Sequence, residues 1–272
     1  MSAITNSVQH CRTQVREVEL STKQALTAGE LLRLRRFSTP TVFNGWEQVS
    51  RIDRRTVVNK QDVRDFMPQF GAMAGYAVTL EVQPSNPDHL RNTPDAPQRY
   101  REYLESMPGP KIVVIKDADS PNVIGTYFGE VNASLHRALG CVGLITDGGV
   151  RDVNEMASIG FKALAARLCV GHAYAWPVRW GHEVEVFGLK IASGQLVHAD
   201  QHGFMIIPEE DQKKVFDATL FMDGNECTSV IEATQILAGR SMSETRAALV
   251  EAERRFGAAA LETFGKKGEW SA

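Results

Sequence analysis

Two short apolar runs with a helical pattern between them constrain this chain more than any other feature. Residues 111–116 (KIVVIK) and 142–146 (VGLIT) are nearly continuous apolar stretches. Strands of this kind are buried on both faces, the habit of a sheet covered by helices. Between them, residues 130–139 carry helical spacing and stop at Gly140. Asp147, Gly148 and Gly149 read as a turn, followed by a short helix over 152–159, closed by Gly160, and a strand within 161–170. Three short β signals come next, at 183–189, 195–198 and 204–207, each bounded by turn residues. Alternating strands and helices followed by a meander predict an α/β chain with a mixed sheet layered with helices, not a purely doubly wound one.

The flanks are helical. Residues 8–36 read as helix, with Thr27 and Glu30 spaced as a capping box and the stretch from Phe37 to Thr41 ending it. Residues 75–82 alternate like a strand. The stretch 84–110 is rich in Pro, Asn and Asp and reads as a surface excursion with a short helical insert near 100–107, placed to cover a site or a subunit boundary. The tail, 209–264, is helical.

Composition narrows the class. The chain has 272 residues, 43% of them hydrophobic, enough to form a core without disulfides. Its 30 basic and 33 acidic residues give a net charge of −3, which provides no electrostatic case for nucleic acid or an anionic membrane. Cys11, Cys141, Cys169 and Cys227 form no CxxC pair and no zinc framework. The first twenty residues lack an apolar signal core, and no run approaches the ~18 apolar residues of a membrane span, so a reducing cytoplasmic setting is expected.

The chemistry concentrates in residues 125–160. Gly129 opens one helix, Gly148 and Gly149 precede another, and a buried strand lies between them. Helix starts present free N–H groups and partial positive charge, suited to a carboxylate. Arg151 adds a planar fork for carboxylate or enolate oxygens. Asp152 has two readings: the cap of the helix that begins there, or a ligand to a divalent metal with waters completing the shell. Glu130 is an acid at the first helix start.

This segment resembles the family that includes the class II 4-hydroxy-4-methyl-2-oxoglutarate / 4-carboxy-4-hydroxy-2-oxoadipate aldolases and the RraA-like regulators of ribonuclease E. The resemblance rests on Gly129-Glu130, then twenty residues, then Arg151-Asp152, with Asp147-Gly148-Gly149-Val150 immediately before. The stretches 184–189, 193–195, 198–203 and 205–208 are also similar, and the likeness spans roughly residues 25–220. It implies an RraA-like, swivelling-domain type of layered α/β/β/α sandwich over 1–272, with a core near 25–220 and helical extensions at 1–24 and 221–272. It further implies homotrimers or homohexamers with sites near subunit boundaries. The implied chemistry is Mg²⁺- or Mn²⁺-dependent release of pyruvate from a 2-oxo-4-hydroxy acid, and decarboxylation of oxaloacetate. By the same resemblance, Asp152 corresponds to the metal ligand and Arg151 to the substrate contact. Gly129, Glu130, Val131 and Asn132 match the segment whose amides cradle the pyruvyl group, and Glu130 the acid that orients a water for proton transfer.

The chain departs from the pattern in places. Glu130 stands where the family's aldolases often carry Asp, and Val131-Asn132 replaces an apolar pair. Asn132 reads as a substrate contact or a cap. Lys162 reads as structural or exposed, with no Schiff-base role. His172, His182, His198 and His202 are expected to be solvated or structural, not zinc ligands. Among them His202 is the candidate to reach a neighbouring subunit's site. Trp176 and Trp180 read as loop residues packing at a subunit boundary. The alternatives to a lyase are a non-catalytic protein-binding regulator and a lyase on another 2-oxo acid.

Overall fold

A computed structural model describes residues 26–235 and 239–266 of the chain. Most of the helix expected over 8–36, Cys11 and the extension 1–24 lie outside the described residues. The described residues begin with α1 (Ala28–Leu34), α2 (Thr39–Val49), β1 (Arg64–Asp65) and β2 (Met73–Val82). The excursion then supplies α3 (Asp88–Asn92) and α4 (Ala96–Ser106). The alternating core follows as β3 (Lys111–Asp117), α5 (Glu130–Ala138), β4 (Cys141–Val150), α6 (Val153–Ser158) and β5 (Lys162–Leu168). Next come β6 (Pro177–Trp180), β7 (Val184–Val186), β8 (Leu189–Ile191), β9 (Leu196–Asp200) and β10 (Gly203–Ile207). The tail is α7 (Gln212–Glu226), a π turn over Cys227–Ile231, α8 (Glu232–Gln235) and α9 (Met242–Phe264).

Strands β2, β3, β4 and β5 lie parallel and adjacent, joined by helical crossovers. Antiparallel strands flank them: β1 on β5, β9 and then β10 on β2, and β6 on the far half of β2. The result is a mixed α/β fold, as the alternation followed by a meander predicts.

Alternate residues of the parallel strands feed two cores. Val113, Ile115 and Leu144 face Tyr100, Leu104, Ala133, Met156 and Phe161, the layer built by α4, α5 and α6. Ile112, Val114 and Ile145 face Val184, Val186, Phe187, Leu189, Ile191 and Val197 on the later strands. A third cluster joins Leu31, Leu34, Val42, Trp46 and Val215 from α1, α2 and α7 to Leu196, Met205 and Ile207. Helix, sheet, sheet and helix are thus stacked in that order.

Several local expectations change. Residues 147–149 are not a turn, because β4 continues through Val150: its pairing with β5 shifts register between Thr146 and Gly149, and Gly149 and Val150 then sit on Arg167 and Leu168. The stretch from Phe37 to Thr41 both ends α1 and starts α2, where Ser38 accepts the Thr41 N–H and Pro40 fills a first-turn position. The excursion is mostly helical, and α4 sinks Tyr100 and Leu104 fully into the core. Residues 177–180 form a strand instead of a loop because β2 offers them a free edge. No helix among the described residues is long and apolar enough to cross a membrane.

Candidate active site

The C-terminal end of β4 sets the geometry. Phe128 bridges Val150 in parallel, and the Arg151 N–H donates to the Phe128 carbonyl at 3.1 Å. The Thr126 hydroxyl donates to the Gly149 carbonyl and accepts the Phe128 N–H at 3.0 Å. These bonds lay the start of α5 directly beside the start of α6.

Asp152 then adopts the left-handed conformation, with φ 53° and ψ 41°. Asp tolerates this region better than most residues. The turn carries its side chain away from α6, which it does not cap. Its Oδ2 instead accepts the Glu130 N–H at 3.1 Å. This satisfies a donor at the start of α5 that Gly129, lacking a side chain, leaves open. A Cβ on Gly129 would lie 2.4 Å from Asp152 Oδ2 and 3.0 Å from Arg151 Nε, so only glycine allows this approach. Arg151 Nε lies 3.4 Å from the same Oδ2, and both side chains are about one-third exposed, at 35% and 37%.

Gly129, Val131, Asn132 and Arg151 line a cavity of about 220 Å³. Its other walls are Pro97 and Arg101 from α4, Thr126 and Tyr127, and His172, Ala175 and Trp176 from the loop after β5. Asp152 stands just behind the lining, on Gly129. Glu130 contributes its backbone N–H to Asp152, while its residue is exposed and not among those lining the cavity. Asn132 donates its amide to the Tyr127 carbonyl at 2.5 Å, fixing the loop that enters α5, and is not the cap of that helix. Two larger depressions, about 410 and 550 Å³, lie elsewhere and contain none of the Gly-Glu or Arg-Asp residues.

The cavity has a rigid back. His136 is on the buried face of α5, its Nδ1–H donating to the Asn132 carbonyl at 2.6 Å and its Nε2 accepting from the Tyr100 hydroxyl at 3.1 Å. Burial pushes its imidazole down to about 4, so it is neutral and held by both nitrogens. Burial pushes the Tyr127 phenol up to about 12, leaving a neutral hydroxyl at the wall. The Trp176 indole donates to the Thr93 carbonyl at 2.9 Å and ties the loop after β5 to the excursion.

Lys162 and His198 serve the framework. Lys162 is buried and pairs with Asp65 at 2.5 Å. His198 is buried between the Thr39 hydroxyl at 2.9 Å and the Leu34 carbonyl, and Asp200 accepts the Thr39 N–H at 2.8 Å. His202 sits past the end of β9 and bonds Asp200 at 3.1 Å. Among the described residues, no three His, Cys, Asp or Glu side chains gather as a metal set. Sequence reasoning missed Arg101 altogether and treated His172 and Trp176 as framework. The signal available was the excursion itself, whose length marks a segment placed over something.

Comparison with known proteins agrees with the fold. The RraA-like family (Aldolase/RraA) matches residues 39–206. No curated protein matches the sequence. An uncharacterised protein from Pseudomonas syringae pv. tomato superposes with TM-score 0.63 at 16% identity, covering 85% of this chain and 99% of that one. Streptomyces coelicolor RraAS2, described as an unusual member of the RNase ES inhibitor RraA protein family, gives 0.59 at 19% identity, covering 78% and 98%. A structure described among novel cellulases from gut-associated microbes gives 0.61 at 16% identity, covering 77% and 90%. At these identities the likenesses speak for the fold alone. The family match spans more than half of the sequence and includes both helix starts of the site, so the chain belongs to the RraA-like family.

Proposed function

We propose that the protein is a divalent-metal-dependent carbon–carbon lyase that cleaves a 2-oxo-4-hydroxy dicarboxylic acid to release pyruvate, and that it also decarboxylates oxaloacetate. The observation that carries this reading is the packing of Arg151 and Asp152 on the Gly129–Glu130 backbone at the edge of a cavity of about 220 Å³. RraA-like proteins include such aldolases and ribonuclease E inhibitors, and the enzyme reading rests on this arrangement.

Asp152 suits a hard cation that keeps most of its water. Its Oδ2 is engaged by Glu130 N–H and lies near Arg151, while Oδ1 has no hydrogen-bond partner among the described residues. One carboxylate oxygen with several waters is a Mg²⁺ or Mn²⁺ donor set, not a zinc one. Asp152 would hold the cation, which when bound supplies Lewis-acid stabilisation of charge on the 2-oxo oxygen. Arg151 donates to the carboxylate of the pyruvyl end and to the enolate oxygen as the bond beyond C3 breaks. Free N–H groups at the start of α5 orient that same end. Glu130, directly or through a water, accepts the C4 hydroxyl proton. A second acceptor has a specific observation behind it. His172 lines the cavity, and its Nδ1 lies 2.9 Å from the Ala173 carbonyl, which leaves Nε2 as the acceptor. Decarboxylation of oxaloacetate uses the same charge stabilisation and no hydroxyl base.

The proposal extends to a single RraA-like domain in a cytoplasmic homotrimer or homohexamer, checked by light scattering on the purified chain. The deciding experiment is coupled detection of pyruvate with Mg²⁺, offering oxaloacetate and 4-hydroxy-4-methyl-2-oxoglutarate. EDTA, Arg151→Ala and Asp152→Ala should each abolish release. Activity that survives both substitutions would sink the site assignment. Silence with both substrates would move the reading to a protein-binding regulator, as the description of the Streptomyces relative suggests for its own family.

A further inference from the structure

The excursion places a second guanidinium on the cavity wall. Arg101 projects from α4, the helix anchored in the core by fully buried Tyr100 and Leu104. It has no hydrogen-bond or ion-pair partner among the described residues. Its helical neighbour Arg99 pairs with Asp95, whereas Glu105, one turn beyond Arg101, does not pair with it. That order, cation before acid, is the weaker one for a helical pair. Among the described residues, Arg101 and Arg151 are the only Lys, Arg, Asp or Glu residues lining this cavity. Arg151 has Asp152 beside it at 3.4 Å, so Arg101 is the guanidinium of this lining without an acid partner among the described residues, and it suits a second carboxylate on a ligand already held by Arg151.

We infer that Arg101 is a specificity-determining residue that binds the carboxylate remote from the reacting bond, so that the site selects C4 to C6 2-oxo dicarboxylates over monocarboxylates. The inference rests on the lyase reading above, in which Arg151 holds the pyruvyl end. Arg101 sits on an exposed helix surface and its removal leaves the Tyr100 and Leu104 anchors intact.

The test is calorimetric binding to the full chain with Mg²⁺ at fixed ionic strength, using 2-oxoglutarate and pyruvate. 2-Oxoglutarate has neither a C4 hydroxyl nor a β-keto acid group, so it stays intact during the titration. Wild-type protein should hold 2-oxoglutarate about tenfold or more tighter than pyruvate, the scale of one charge-assisted contact. Arg101→Ala should erase that preference and leave pyruvate affinity within about twofold, and Arg101→Lys should restore part of it. Equal weakening of both ligands, or of neither, in Arg101→Ala overturns the inference, as does a wild type without preference. Arg151→Ala should weaken both ligands. If it weakens neither, or if wild type binds neither, the underlying lyase reading falls instead. Circular dichroism of each variant confirms that it is folded.

Discussion

The Oδ2 atom of Asp152 accepts the N–H of Glu130 at 3.1 Å, closing the start of a helix to which Asp152 does not belong. The same carboxylate lies beside Arg151 and over Gly129, so three positions of the candidate site share one contact. A substitution at any of them is felt by the other two.

Gly129→Ala tests that packing. The added methyl would sit 2.4 Å from Asp152 Oδ2 and must displace the carboxylate or α5. Misplacement on the ångström scale costs about 10²-fold in rate. The expected result is a loss of that order in kcat for pyruvate release, with thermal unfolding shifted by only a few degrees.

Arg151→Lys should not rescue Arg151→Ala. A lysine keeps the charge but cannot present two parallel donors to a carboxylate. Steady-state kinetics should show about 10²-fold or greater loss in kcat/KM for both variants, the scale of removing one donor to developing charge.

The proton acceptor is identified by comparing two substrates. Glu130→Gln should lower cleavage of the hydroxy acid by about 10²-fold or more, the usual share of general base catalysis, while oxaloacetate decarboxylation stays near wild type. If His172→Asn shows that split and Glu130→Gln does not, the imidazole on the cavity wall takes the proton.

Lys162 and Asp65 form an ion pair with 3% and 2% side-chain exposure. Removing one partner strands the other charge in the core, so Asp65→Asn should cost about 3–5 kcal/mol in urea unfolding. The apolar double variant Lys162→Met/Asp65→Leu should recover most of that loss.

His198 gives a pH-dependent stability. Burial pushes it down to about 4, below the ordinary 6.5 of the unfolded chain. A group depressed on folding contributes fully above the unfolded value and loses that contribution as pH falls toward the folded one. The stability gap between wild type and His198→Gln should therefore be widest above pH 6.5 and close toward pH 4, measured as urea midpoints.

Much of the framework was legible because it is local. Continuous apolar runs gave the parallel strands, and Thr27 with Glu30 forms the capping box that their spacing announces. The Gly-Glu and Arg-Asp pairs were legible as spaced motifs, and the fold brings them into contact. Residues 147–149 misled because two glycines usually end a strand, yet here β5 offers partners to Gly149 and Val150. Pro177–Trp180 was hidden by its proline, which an edge strand tolerates. Asp152 as the closer of a distant helix, and Arg101 as a wall of the cavity, depend on which segments meet in space. No local periodicity encodes that.

Helix α4 does two jobs on neighbouring stripes: Tyr100 and Leu104 are rooted in the interior, while Arg101 meets the cavity. On the proposed reading, substrate preference and foldability are written on adjacent stripes of one short segment. Exchanging the cavity-facing stripe while keeping Tyr100 and Leu104 offers a route to new acids that leaves the buried anchors in place.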